Sequence, residues 1–281
     1  MFVVPLAGLA FVALLLQRPT DAMVERWADA YGLELTPGNR PMVTWYLVNA
    51  RRLRRCGAIA GLLLPAPVAA ALGGRASSGS MLWALVGYLV GALWAEVALG
   101  RPLPAGPAQA SLLTRRLSDY SPPWLRWAQR GVGLSAVLLS VLVAVLDARP
   151  LPAELDLYPS AAAALGSGLV ALVVAITTEV AQRWLVARRQ PVVSRDLLAA
   201  DDAIRSQSVI SIGGAGLAIL LLLMGPLLWS LNFCDVSFLR HIAPIPAILC
   251  LIGSLVVWAR LGHWRWRVER PGAATLAGAR T

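Results

Sequence analysis

Residues 51–99 read RRLRRCGAIAGLLLPAPVAAALGGRASSGSMLWALVGYLVGALWAEVAL, and this stretch decides the fold. Arg51, Arg52, Arg54 and Arg55 lead into 19 residues without a charge, 56–74. Arg75 interrupts, and 20 more uncharged residues, 76–95, follow before Glu96 and then Arg101. A helix needs about 20 apolar residues to cross ~30 Å of hydrocarbon. The stretch therefore predicts a transmembrane hairpin whose two basic ends lie on one side.

The same pattern extends along the chain. Uncharged runs at 1–17, 56–74, 76–95, 131–146, 157–178, 206–234 and 242–259 predict seven spans and an all-α, polytopic transmembrane helix bundle. Composition agrees: the chain is 58% hydrophobic and 14% charged, where a soluble domain carries about 25% charge. The first run lacks a basic n-region, and Gln17-Arg18-Pro19 is no small-residue cleavage site, so it reads as a retained helix. Of the 25 arginines, 22 fall in 17–55, 100–130, 181–207 and 260–281. With seven alternating spans these four segments share one side, which the positive-inside rule makes cytoplasmic. The N-terminus is then outside and the C-terminus inside a bacterial cytoplasmic membrane. Trp94, Trp124, Trp127, Trp184, Trp258, Trp264 and Trp266 fall near the inner boundary, where an indole prefers headgroup depth.

The organisation expected is a first span (1–17), a cytoplasmic juxtamembrane helical segment (18–55), a six-helix bundle (56–261) and a basic cytoplasmic tail (262–281). In the juxtamembrane segment Thr20 is placed to cap a helix that Gly32 ends, and Thr36-Pro37 to start another. These read as two short helices under the membrane. Trp27-Ala28, Tyr31-Gly32-Leu33, Leu35-Thr36-Pro37, Asn39-Arg40-Pro41, Tyr46-Leu47 and Arg51-Arg52-Leu53-Arg54-Arg55 resemble the opening of a family of uncharacterised actinobacterial integral membrane proteins. The resemblance covers residues 25–60 and implies membrane class and location, with no activity attached.

Hairpins 56–99, 131–181 and 206–260 read as three parallel repeats after one extra helix. The first two return through Trp94-Ala95-Glu96-Val97-Ala98 and Thr177-Thr178-Glu179-Val180-Ala181. Gly57-x-x-x-Gly61 and Gly87-x-x-x-Gly91 would let two helices approach closely, and Gly213, Gly214 and Gly216 smooth one end of the sixth. Pro65, Pro67 and Pro226 lie inside apolar runs, where kinks suit a permease but are common in static bundles.

Chemical motifs are missing. The chain has no phosphate-binding Gly loop, His-Glu-x-x-His set or Gly-x-Ser-x-Gly elbow. Cys56, Cys234 and Cys250 are scattered and make no metal set with His241 and His263. Asp201-Asp202, near Arg195 and Arg205, reads as a solvated, salt-bridged helix face rather than a metal cluster. No enzyme activity, cofactor or nucleic-acid partner is expected, and His263 to Arg267 reads as an interfacial anchor.

Two function classes follow. The first is a non-catalytic scaffold or partner-binding component; the alternative is a small-solute permease. Arg51, Arg52, Arg115, Arg116, Arg188, Arg189, Arg265 and Arg267 are expected at anionic lipid headgroups, and a protein partner or second copy on the basic face. Glu96 and Glu179 are candidate interhelical or vestibule groups. The simpler expectation is that each snorkels or pairs nearby. The sharper one pairs them inside the bundle with Arg54, Arg55 or Arg130 of a neighbouring hairpin.

Overall fold

A computed structural model of the chain describes residues 20–63, 80–99, 116–146, 161–188, 195–233 and 241–261. These contain seven α-helices and no strand: α1 (Asp21–Tyr31), α2 (Arg40–Leu63), α3 (Ser80–Leu99), α4 (Pro123–Val145), α5 (Ala161–Ala187), α6 (Arg195–Ser230) and α7 (Pro244–Leu261). Helices α4, α5, α6 and α7 are long and apolar enough to cross a bilayer, and Val86–Leu99 of α3 is a shorter apolar helix. Their outer faces fit that environment. Leu134, Leu138 and Val145 on α4, Leu169 and Ile176 on α5, and Leu249 and Ile252 on α7 are all exposed, large apolar side chains that water would penalise. The run 1–17, the break at Arg75, the loop 147–158 and the tail 262–281 lie outside the described residues.

Helix α1 ends as its sequence requires. Gly32 adopts φ 59°, the left-handed conformation in which a Cβ is penalised. Its N–H donates to Asp29 O and that of Leu33 to Ala28 O, closing the C-terminus. Thr36, expected to start the next helix, instead forms a turn with Asn39. The Thr36 N–H donates to Asn39 Oδ1 (2.9 Å) and the Asn39 N–H to Thr36 Oγ1 (3.3 Å), and the helix begins at Arg40.

Two sequence boundaries are corrected. The expected second helix under the membrane is not separate: α2 runs unbroken from Arg40 through Arg51–Arg55 to Leu63. Pro41 sits in its first turn, where the missing N–H is not needed, and arginine is a good helix former. The helix that holds the sixth expected span likewise starts not at 206 but at Arg195, and its 36 residues contain Pro226.

The described helices group into two compact units. The first holds α1, α2, α3 and residues 188–208; the second holds α4, α5, residues 209–230 of α6, and α7. In the first, Val24 and Ala28 of α1 meet Val43, Tyr46, Leu47 and Ala50 of α2, with Ala200 of α6 and Leu33 completing the core. The spacing 43-46-47-50 is one helical face. Residues 21–50 are thus a docked element of the fold. Helices α2 and α3 cross backbone to backbone: a Cβ on Gly61 would lie 2.1 Å from Trp83 O, and one on Gly87 2.2 Å from Gly57 O.

In the second unit α6 has no polar face to turn outward, since every residue from Val209 to Leu220 is buried. Three of its four glycines admit different neighbours. Gly213 lies against Leu125 and Gln182, Gly214 against Leu261 and Gly216 against Thr178, so α4, α5 and α7 all reach its backbone. Ala136, Ala171 and Leu220 form one layer, and Val143, Ala164 and Leu227 another. The Ser254 hydroxyl of α7 donates to Ala218 O at 2.9 Å.

Candidate functional site

The polar groups that the sequence could not assign gather in the first unit, around Glu96. This residue is in the last turns of α3 and is 0% exposed. A lone buried carboxylate would cost several kcal/mol, and three donors prevent that. Arg54 Nη2 of α2 donates to Oε1 at 2.6 Å, while the Tyr46 hydroxyl (2.9 Å) and the Ser208 hydroxyl (2.6 Å) donate to Oε2. Burial, and then the Glu96 charge, push the Tyr46 phenol well above its ordinary range. It therefore stays protonated and remains a donor at neutral pH.

The periodicity of α6 explains how one helix supplies so much of this site. Asp201, Arg205 and Ser208 recur at i, i+4 and i+7, one helical face. Asp201 accepts from Arg188 Nη2 at Oδ1 (2.9 Å) and from Arg205 Nη2 at Oδ2 (2.8 Å). Arg205 Nη1 also donates to Arg188 O at 3.0 Å. Ala200, Ile204 and Gln207 define an adjacent face: the first two join the apolar core, and Gln207 accepts a hydrogen bond from the Tyr31 hydroxyl. The solvated Asp201-Asp202 face is corrected here. Asp201 is salt-bridged but buried, because two guanidinium groups converge on it.

Glu179 follows the simpler expectation. It is 29% exposed and lies between Arg130 (47%) and Arg183 (67%). The guanidinium of Arg130 also lies 5.7 Å from the exposed Trp127 ring. Glu96 and Glu179 thus both pair with an arginine on the leading helix of their own hairpin, not a neighbouring one, and only Glu96 is sealed from solvent. Exposed pairs are worth about 0–1 kcal/mol. Glu179→Gln should accordingly leave the midpoint of chemical unfolding in detergent within about 1 kcal/mol of the parent. A larger loss would mean that this cluster is desolvated.

Other residues selected from the sequence fall as follows. Arg52 and Arg116 are exposed; Arg51 and Arg55 are half-buried and lie outside the Glu96 network. Arg188, expected at lipid headgroups, has its guanidinium on Asp201 and is only 15% exposed. Arg115, Arg189, Arg265 and Arg267 lie outside the described residues. Tyr46, Ser208 and Gln207 are the site residues that charge counting missed. The signal for the last two was Ser206-Gln207-Ser208 opening a supposed apolar span, three polar side chains that a helix core must satisfy.

Chemically, the Glu96 cluster is a clasp. Both carboxylate oxygens are engaged, the residue is closed to solvent, and α2, α3 and α6 are tied at one point. No known protein family, characterised protein or solved structure matches this chain.

Proposed function

We propose that the protein is a non-catalytic component of a bacterial cytoplasmic membrane whose basic cytoplasmic end binds a partner protein or a second copy of itself. In this reading seven spans cross the bilayer, the N-terminus is outside, and three parallel hairpins follow the first helix. The observation that carries it is the state of the buried carboxylates. Glu96 and Asp201 are each neutralised by arginine within bonding distance. An ion-coupled permease needs an acidic group that can bind and release a cation near mid-bilayer. Here the acids are spent on holding helices together, and α1 and the start of α2 pack into a fixed platform beside them. The clustering of 22 arginines in four segments supports the orientation. The Arg54–Glu96 and Arg130–Glu179 pairs, each within one hairpin, favour the repeat.

The test separates this reading from a permease. The tagged protein, extracted at native expression level in its own lipids, should carry a second polypeptide or a second copy at fixed stoichiometry. Proteoliposomes of the purified chain should show solute permeability equal to lipid-only vesicles. Saturable uptake of a solute by those vesicles, with the chain remaining alone in native lipid, would replace this reading with the permease.

A further inference from the structure

A cavity of about 250 Å³ opens between α4 and α5, lined at one end by Arg126 and Gln129 and further along by Leu134, Val137, Leu172 and Ile176. Its polar end carries unused hydrogen-bonding capacity. Arg126 has a buried Nε without an acceptor, and the residue makes no ion pair or hydrogen bond among the described residues. Gln129 is 5% exposed, lines the same cavity and makes no hydrogen bond among the described residues. A buried guanidinium N–H left without an acceptor is costly; an anionic oxygen in the cavity would satisfy it, with the Gln129 amide on the same lining as a second donor. Local charge points the same way. With Arg126 and Arg130 against Glu179 on its lining, the cavity carries a net positive charge.

The rest of the cavity rules on what that anion is attached to. From Gln129 to Val137 the wall runs eight residues along α4, about 12 Å at ~1.5 Å per residue, and it is apolar beyond Gly133. Leu134, Leu172 and Ile176 are exposed on the outer faces of their helices, among Leu138, Leu169 and Val173, which are exposed as well. Exposed Trp124, Trp127 and Trp184 flank the polar end, the depth at which indoles sit in a bilayer. A free anion would use the rim and leave the apolar wall empty.

We infer that the α4–α5 cavity is a binding site for one anionic phospholipid, its phosphodiester held by Arg126 and Gln129 and an acyl chain lying along Leu134, Val137, Leu172 and Ile176. The inference does not depend on the partner-binding function. Native mass spectrometry of the full chain, exchanged into phosphatidylglycerol or phosphatidylcholine, tests it. The parent should retain a single phosphatidylglycerol and no phosphatidylcholine. Arg126→Gln and the charge-neutral Gln129→Leu should each lower retention about tenfold, the effect of losing a hydrogen bond to a charged group. Arg116→Gln, an exposed arginine outside the cavity, should retain lipid like the parent. Val137→Trp, which fills the apolar wall and keeps every charge, should also lose the lipid. Equal retention in Arg126→Gln and Arg116→Gln would overturn the site, as would equal retention of phosphatidylcholine. Displacement by dissolved glycerol phosphate as readily as by lipid would reassign it to a free anion.

Discussion

Glu96→Gln is expected to destabilise the protein by about 3–5 kcal/mol, the cost of leaving one partner of a buried ion pair uncompensated. The Arg54 side chain is 14% exposed and donates to Glu96 at 2.6 Å. An amide in that place still accepts a hydrogen bond but returns no charge. Removing the cation as well should recover most of the loss, because a buried pair replaced on both sides is often neutral. The double variant Arg54→Met, Glu96→Gln is therefore expected to be more stable than Glu96→Gln alone. Chemical unfolding of the two single variants and the double, in one detergent, measures the coupling. If Glu96→Gln costs no more than Glu179→Gln, the Glu96 cluster is solvated and the clasp does not exist.

The second large effect is steric. Gly61→Ala and Gly87→Ala place a methyl group 2.1 Å and 2.2 Å from backbone carbonyl oxygens of the facing helix. No rotamer relieves this, so α2 and α3 must separate. Alanine gains up to about 1 kcal/mol of helix propensity over glycine, and overpacking costs typically 1–3 kcal/mol or more. Steric cost should win: each variant is expected to lose about 2 kcal/mol or more, against the ~1 kcal/mol gain. Gly166→Ala gives the opposite sign. A Cβ there meets nothing within 4 Å, so this helical glycine should show only the propensity gain of up to ~1 kcal/mol. Melting curves of the three proteins check both signs together. Stabilisation by Gly87→Ala would show that the helices do not cross at these glycines.

The helices were legible in the sequence because a bilayer demands long apolar runs, and the glycine crossing because Gly-x-x-x-Gly has few other uses. Their ends were not. Cutting segments at charges assumes that a helix stops where the membrane does, yet α2 carries five arginines beyond that point and α6 extends to Arg195. Helical hydrogen bonds are satisfied in water as well as in lipid, so charge placement alone cannot mark those boundaries. Glu96 and Glu179 look alike in sequence and differ in the structure. The difference comes from what stands opposite them. Glu96 faces Tyr46 and Ser208, the latter 112 residues later in the chain, while Glu179 faces a second exposed arginine. Periodicity along one helix carries no information about a partner so distant.

The order in which the Glu96 donors leave the ribosome has a consequence for insertion. Tyr46 and Arg54 precede Glu96 by 50 and 42 residues, whereas Ser208 follows it by 112. At ~5–20 residues per second, synthesis of those 112 residues takes roughly 6–22 s. For that interval, of these three donors only Tyr46 and Arg54 are present. Arg54 is then a travelling counter-ion, delivered to the translocation machinery ahead of the charge it neutralises. The glycine faces of α2 and α3 can bring the two together without waiting for any later helix, and Ser208 closes last.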